Sequence, residues 1–315
     1  MHYIEIGERK ERLNLKRKRQ NQISYTASVF IHLFFILFAI ACIYPVLLTI
    51  SVSFTDEKAL IKYGYGLIPK ALSLVSYKVI LGSKGGIIHA YGVTIFATVV
   101  GTLLTLAVTS LYAYPLSRKD FTGKKFFTFF AFFTMLFSGG LIPWYMVCTQ
   151  VIHINDTIWA LILPSIMSAW NMLVLRTFFA TSIPFEIIES AKIDGAGELR
   201  TFVRIVLPLS KAGIATIGLF STLAYWNDWY LPMMLTTKDN LCNLQYYLQK
   251  IFLNIQLLQS GVLSERATAA LGASAVPAEG ARMAMCVLAM GPILIVYPFF
   301  QKYFIQGLTV GSVKG

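Results

Sequence analysis

The chain has 315 residues, of which 56% are hydrophobic and only 13% charged, and its mean hydropathy of +0.64 is far above what an ordinary soluble domain needs. Apolar runs longer than the roughly 18 to 20 residues that carry a helix across about 30 Å of hydrocarbon recur along it, so the composition predicts an all-α integral membrane protein. The net charge of +12 does not call for nucleic acid, because the basic residues sit in short segments beside apolar runs, where anionic lipid and topology account for them.

A basic segment, 1–26, comes first and is expected on the cytoplasmic side. The run that follows is much longer than the roughly 7 to 15 residues of a signal-peptide core and has no clear small-residue cleavage site, so it is expected to stay in the mature protein. Six spans are predicted, at Ala27–Ser53, Ala90–Tyr114, Phe126–Val147, Ile158–Phe178, Ala212–Leu235 and Ala284–Phe300. With both termini inside, the inner segments hold 17 Lys and Arg against 8 in the outer ones, which fixes the orientation. The membrane-spanning body is thus 27–301, with a cytoplasmic tail at 302–315.

Within the third span FSGGLIP, Phe137 to Pro143, breaks the helix, a tolerable irregularity at that depth only inside protein or beside a cavity. In the fourth, WNMLVLR sets Trp170 and Asn171 mid-span, as passage groups or as helix-to-helix hydrogen bonding. The polar insert between the fourth and fifth spans, 181–211, opens with SIPFEIIESAKIDGAG. Pro184 and Glu186 suit a first helical turn, and Gly195 falls where a left-handed cap would end the helix. Phe185, Ile188 and Ala191 share one face while Glu186 and Glu189 point elsewhere. Two glutamates and one Lys192 fit a protein partner better than a lipid surface, which favours a basic polar face. The continuation ELRTFVRIVLPLSKAG re-enters the membrane through Pro208.

The fifth span carries YWNDWY, Tyr225 to Tyr230. An unpaired aspartate near a span's centre costs about 2.5 to 3.5 kcal/mol, so Asp228 should face water or a partner. Trp226, Asn227 and Asp228, with Trp170 and Asn171, are the candidate lining of a water-filled passage, while Tyr225 and Tyr230 also suit packing or an interfacial aromatic belt. In the outer segment, 237–281, Leu241, Leu244, Leu248, Ile251, Ile255 and Leu258 follow helical spacing. An Ala-, Gly- and Ser-rich stretch through Gly280 comes next and is expected to be mobile.

Cys42, Cys148, Cys242 and Cys286 and the four histidines show no metal-ligand spacing, so no metal site is expected; Cys148 and Cys242 both fall on the predicted outer side and are expected to be free. No Ser/His/Asp or Cys/His grouping suggests an enzyme, and no phosphate-binding G-x-x-x-x-G-K-[ST] loop occurs, so the chain does not cradle ATP through that motif. The alternative class is a secondary transporter or channel, which meets the difficulty that Asp228 and the border residue Arg176 are the only charges in the spans.

Glu189, Ala191, Gly195, Ile205, Leu207 and Pro208 reproduce the EAA signature of ABC-importer permeases, E-A-A, three residues, G, nine residues, I-x-L-P, at every spacing. Chance agreement at six such positions is on the order of 10⁻⁷ per start site. The one departure is Ser190 in place of alanine, a small-for-small change. Together with YPVLLTISVSF, AYPLSRKDF, FSGGLIP, WALILP, RTFF, WNDW and QKYFIQGLTVGSVKG, the motif makes the chain resemble the MalG-like permeases of carbohydrate importers, in the group tied to oligosaccharide or polysaccharide uptake in Gram-positive bacteria. That resemblance implies the ABC type I importer permease fold in a bacterial plasma membrane. It also implies a second, MalF-like permease, an ATPase dimer that holds ATP and Mg on the cytoplasmic face, and an extracellular solute-binding lipoprotein. Glu189, Ser190, Ala191, Asp194, Gly195, Ile205, Leu207 and Pro208 would then form the coupling element.

Overall fold

The structure, a computed structural model, describes residues 24–82, 86–259 and 278–312. Among them there is no β-strand, only an antiparallel bridge pairing Thr55 with Leu72. Three helices are long and apolar enough to cross a membrane unbroken: α1 (Tyr25–Ser53), α4 (Gly86–Ser117) and α13, which runs Ala278–Ser312 and is span-like over Ala278–Phe299. Two short helices, α2 (Glu57–Tyr63) and α3 (Val75–Leu81), lie between the first pair.

The remaining three predicted spans fall on bent helix pairs, the bend of the last pair lying just before the expected start at Ala212. α5 (Lys124–Leu136) and the α6 segment (Leu141–Val151) meet at 115°, the helical turns of Ile158–Ser165 and α7 (Ala169–Ser182) at 53°, and α9 (Glu198–Leu209) and α10 (Lys211–Trp226) at 82°. Counting each pair as one span gives up to six. The first break falls on FSGGLIP as expected, and Gly140 explains it: at φ 85° and ψ 174° it occupies backbone territory open essentially to glycine alone. The expected fourth and fifth spans, Ile158–Phe178 and Ala212–Leu235, are corrected in shape. The former opens with tight turns around Pro164 before Ser168 caps α7, its hydroxyl accepting the Asn171 N–H; the latter stops at Trp226 and resumes as α11 (Tyr230–Leu235).

α4 is the axis of the bundle. Its buried side, Ala90, Thr94, Ala97, Thr98, Gly101, Thr105, Thr109 and Ala113, repeats every three or four residues and packs on α10 and α7. Small residues allow that approach, since a Cβ on Gly101 would sit 2.6 Å from the Tyr225 ring. Around the end where α4 finishes, Leu116, Met172, Phe179, Ile188, Phe202 and Ile217 make one core; around its start, Ile80, Ile87, Trp226, Leu244 and Ala281 make another. α12 (Leu244–Gln259) lies over that second core with Leu244, Leu248 and Ile255 buried, as their spacing predicts. The Ala-, Gly- and Ser-rich stretch divides: 260–277 lies outside the described residues, whereas 278–280 form the first turn of α13, where the Glu57 carboxylate accepts the N–H groups of Glu279 and Gly280 at 3.2 Å each.

Candidate functional site

The insert folds as α8 (Phe185–Ile193) followed by α9. α8 starts after Pro184 and ends in a Schellman cap: Asp194 closes the last turn, Gly195 takes φ 75°, the Gly195 N–H reaches the Lys192 carbonyl at 3.0 Å and the Ala196 N–H reaches that of Ala191 at 2.9 Å. Ile188 and Ala191 are buried against the body, which leaves Glu186, Glu189, Ser190 and Asp194 exposed. Ile187, Ile193, Leu199 and Val203 are exposed as well, with Lys192, Arg200 and Arg204, so the outer surface of α8 and α9 mixes apolar residues with charges of both signs. In α9 the residues Phe202–Val206 make a π turn ahead of Pro208. Proline offers no N–H to a carbonyl one turn back, and the widened turn accommodates that loss. Ile205 and Leu207 are half-buried there, and Pro208 is exposed.

The foot of α4 holds this insert through charges. Arg118, 5% exposed, grips Asp120 with two hydrogen bonds, Nε to Oδ1 at 2.9 Å and Nη2 to Oδ2 at 2.7 Å. Lys192 of α8 donates to the same Asp120 at 2.8 Å and lies 3.4 Å from Glu198 of α9. Arg118 Nη1 donates to the Tyr114 hydroxyl at 3.1 Å, and that hydroxyl donates to Glu198 at 2.9 Å. The Arg118 guanidinium, followed by the Lys192 ammonium, holds the Asp120 carboxyl well below the usual carboxylate range. Arg118, Asp120 and Glu198 are not singled out by the sequence: AYPLSRKDF enters it as topological charge and as part of the resemblance, and Glu198 only as the first residue of ELRT. Beside them opens a cavity of about 420 Å³ lined by Leu111, Pro115, Phe121, Leu199 and Phe202.

At the opposite end of the molecule the candidate passage residues separate. Asn227 is exposed, its amide donating to the Leu223 carbonyl at 2.9 Å. Asp228 is half-buried; its Oδ1 accepts the Tyr230 and Leu231 N–H groups at 3.0 and 3.1 Å, capping α11, and its backbone carbonyl accepts from the Asn243 amide. Oδ1 is therefore satisfied within the chain, an option the sequence did not suggest. Trp229 and Tyr230 are exposed beside it, with Trp144 6.2 Å from the Tyr230 ring. Trp226 turns inward: it is 6% exposed, and its indole N–H donates to the Ala289 carbonyl of α13 at 3.0 Å. Trp170 is 60% exposed at the start of α7 with Asn171 half-buried beside it, while further along α7 the Phe178 ring packs over Gly213 of α10. Cys148 and Cys242 are both free and buried.

A scan of the sequence against protein-family models matches none. Individual proteins do match. The chain is 39% identical over 282 residues to the polygalacturonan/rhamnogalacturonan transport system permease protein YtcP of Bacillus subtilis, covering 90% of this chain and 96% of the relative. It is 39% identical over 274 residues to Protein LplC of the same organism, covering 87% and 90%. Among solved structures, a chain of a bacterial ABC transporter involved in the import of the acidic polysaccharide alginate superposes with a TM-score of 0.75 at 28% identity, covering 90% of this chain and 99% of that one.

Proposed function

Since this chain belongs to the family of ABC sugar-transport permeases, we propose that it is one of the two permease halves of an ATP-driven importer for an oligosaccharide or polysaccharide. It pairs with a second, MalF-like permease in a bacterial plasma membrane. Its three unbroken helices and three bent pairs act as six spans with both termini cytoplasmic, the Lys and Arg distribution supporting that orientation. The coupling loop is 181–211 and the outer loop 237–281, where a solute-binding lipoprotein docks. ATP and Mg are held by an ATPase dimer; this chain only receives its motion.

The observation that carries the reading is an exposed, polar helix that a transmembrane body has no reason to build. α8 is short, rigidly capped, bound to the body through Ile188 and Ala191, and presents Glu189, Ser190 and Asp194 outward beside apolar Ile187 and Ile193. Such a surface suits a cleft in a soluble partner. Closure of the ATPase dimer then biases the permease between inward-facing and outward-facing states. Sugar passes near Asn227, Asp228, Trp170 and Asn171, flanked by the exposed rings of Trp229 and Tyr230; Trp226 supports that wall from behind. Two of the matched proteins are tied by name to acidic polysaccharides, so uronate oligomers are the first substrates to try.

Purifying the complex with Glu189→Ala or Gly195→Leu tests this. Both variants should insert normally and lose ATPase and uptake together, the first by removing an outward charge, the second by straining a left-handed cap. ATPase recovered at wild-type yield with uptake intact would sink the coupling role.

A further inference from the structure

Resting on the coupling role of α8, we propose that Arg118, Asp120, Lys192 and Glu198 are positioning residues that latch the foot of α4 to the coupling segment, so that α4 and α8 move as one body when the ATPase closes.

Covalent connection alone gives the motion of α8 a poor route into the membrane. α9 leads to α10 through an 82° turn at Ser210, and a push along one arm of so sharp a corner is free to swing the other. The latch supplies a charged route beside the apolar core that Ile188 and Phe202 share with Tyr114 and Leu116. Asp120 receives Arg118 from its own loop and Lys192 from α8, while Glu198 of α9 receives Lys192 and the Tyr114 hydroxyl of α4. Three elements thus share four charges, and the balance is even: two cations, two anions. Arg118 is the member that cannot be spared. Its guanidinium is nearly out of water, and a desolvated charge holds its partners strongly because the alternative is to remain unpaired. Only a planar fork can serve Asp120 through two atoms and Tyr114 through a third. Lys119 adds a contact of the same sense, its ammonium 5.5 Å from the Phe185 ring at the start of α8.

What α4 receives it can deliver far away. The helix is continuous from Gly86 to Ser117, which at about 1.5 Å per residue is roughly 45 to 50 Å. At its other end His89 Nε2 meets the Asn240 carbonyl at 2.8 Å, Thr94 accepts the Leu244 N–H at 2.7 Å, and the Tyr91 hydroxyl donates to the Leu288 carbonyl at 2.7 Å. One rod therefore joins the coupling helix to the loop before α12, to α12 itself and to α13.

The test uses the assembled transporter, with its ATPase, second permease and binding protein, in lipid nanodiscs and in cells. Asp120→Asn and Lys192→Gln each weaken the latch, and Lys192 is exposed enough that its loss should not unfold the chain. The expected result is normal yield of complex, ATP hydrolysis that continues, and uptake reduced roughly 5- to 100-fold, so that ATP consumed per sugar rises. Joining Asp120→Cys to Lys192→Cys with a short bismaleimide should restore uptake, which a merely structural loss would not allow. Unchanged ATP per sugar in both variants overturns the proposal, and so does a tethered pair that stays uncoupled, or a Lys192→Gln complex that sheds its ATPase. If α8 of the unaltered chain fails to cross-link to the ATPase, the coupling role itself is gone; if it cross-links and the variants transport normally, only the latch is.

Discussion

Asp228 shows how far a single residue can be read from sequence and where it stops. Its cost in a span was legible from its charge, and so was the conclusion that it must be satisfied. The partner was not, because the backbone N–H groups of Tyr230 and Leu231 become available only where α10 breaks. Asp228→Asn keeps an acceptor for both and should preserve complex yield and thermal stability while lowering uptake or shifting its size preference. Asp228→Leu removes the cap and should cost about 0.5 to 2 kcal/mol, read as a lower Tm of the purified complex. An Asp228→Asn complex that falls apart would favour a buried pair with the second permease. Packing is among the readings the sequence gives for Tyr225, but its partners are not legible there: its hydroxyl bonds the Ile162 carbonyl at 3.0 Å, and its ring fills the place a side chain at position 101 would take. Gly101→Leu should therefore destabilise by roughly 1 to 3 kcal/mol or more through overpacking, again visible in Tm. Asp120 gives a pH expectation of definite sign. Its folded value is depressed, so its contribution is present above the ordinary carboxylate value of about 3.9 and disappears only as pH falls through the depressed one. Between about pH 8 and 5 the ATP spent per sugar should accordingly stay flat on account of this group. A rise beginning near pH 6 would mean that another group controls the latch.

Elements were legible where one local rule decided them. The Schellman end of α8 follows from Gly195 and the apolar face from Ile188 and Ala191, both readable in nine residues. The α12 helix declared itself through its leucine and isoleucine spacing. Bends were harder, since a hydropathy window sums burial and carries no information on the direction of a helix axis. Gly139 and Gly140 betray one break; Pro164 marks the turns before Ser168 and Asn227 and Asp228 the stop after Trp226, but none of them sets the angle at which the axis leaves. Gly140→Ala is a direct check: it places a side chain at φ 85° and should cost about 1 to 3 kcal/mol. Melting of the variant at the wild-type temperature would mean that α5 and α6 are not held at that corner.

On the scale of the whole molecule, periodicity and charge located the helices but not the tertiary routes between them. The links that join the foot of α4 to the insert run through Asp120 to Lys192 of α8, 72 residues on, and through Arg118 and Tyr114 to Glu198 of α9, 80 and 84 residues on. Topology remains the decisive global test. A cysteine introduced at an exposed position of the 237–281 segment should react with a membrane-impermeant maleimide on intact cells, and one at 186–200 only after permeabilisation. Reaction of both from outside would overturn the arrangement and the coupling segment with it.

α1 touches little of its own chain, none of its most apolar stretch being buried, and packs chiefly on α13. The carboxylate just after it, Glu57, closes the start of α13 across 222 residues of sequence. During synthesis this makes α1 an orphan: it enters the bilayer early and waits, without its partner, until nearly all of the chain has left the ribosome. The interval is a window in which quality-control proteases can sample a half-built bundle, and at about 5 to 20 residues per second it lasts on the order of 10 to 45 s. A chain stopped before residue 278 should insert yet remain in that vulnerable state, turning over faster than the full-length protein because the closing helix never arrives.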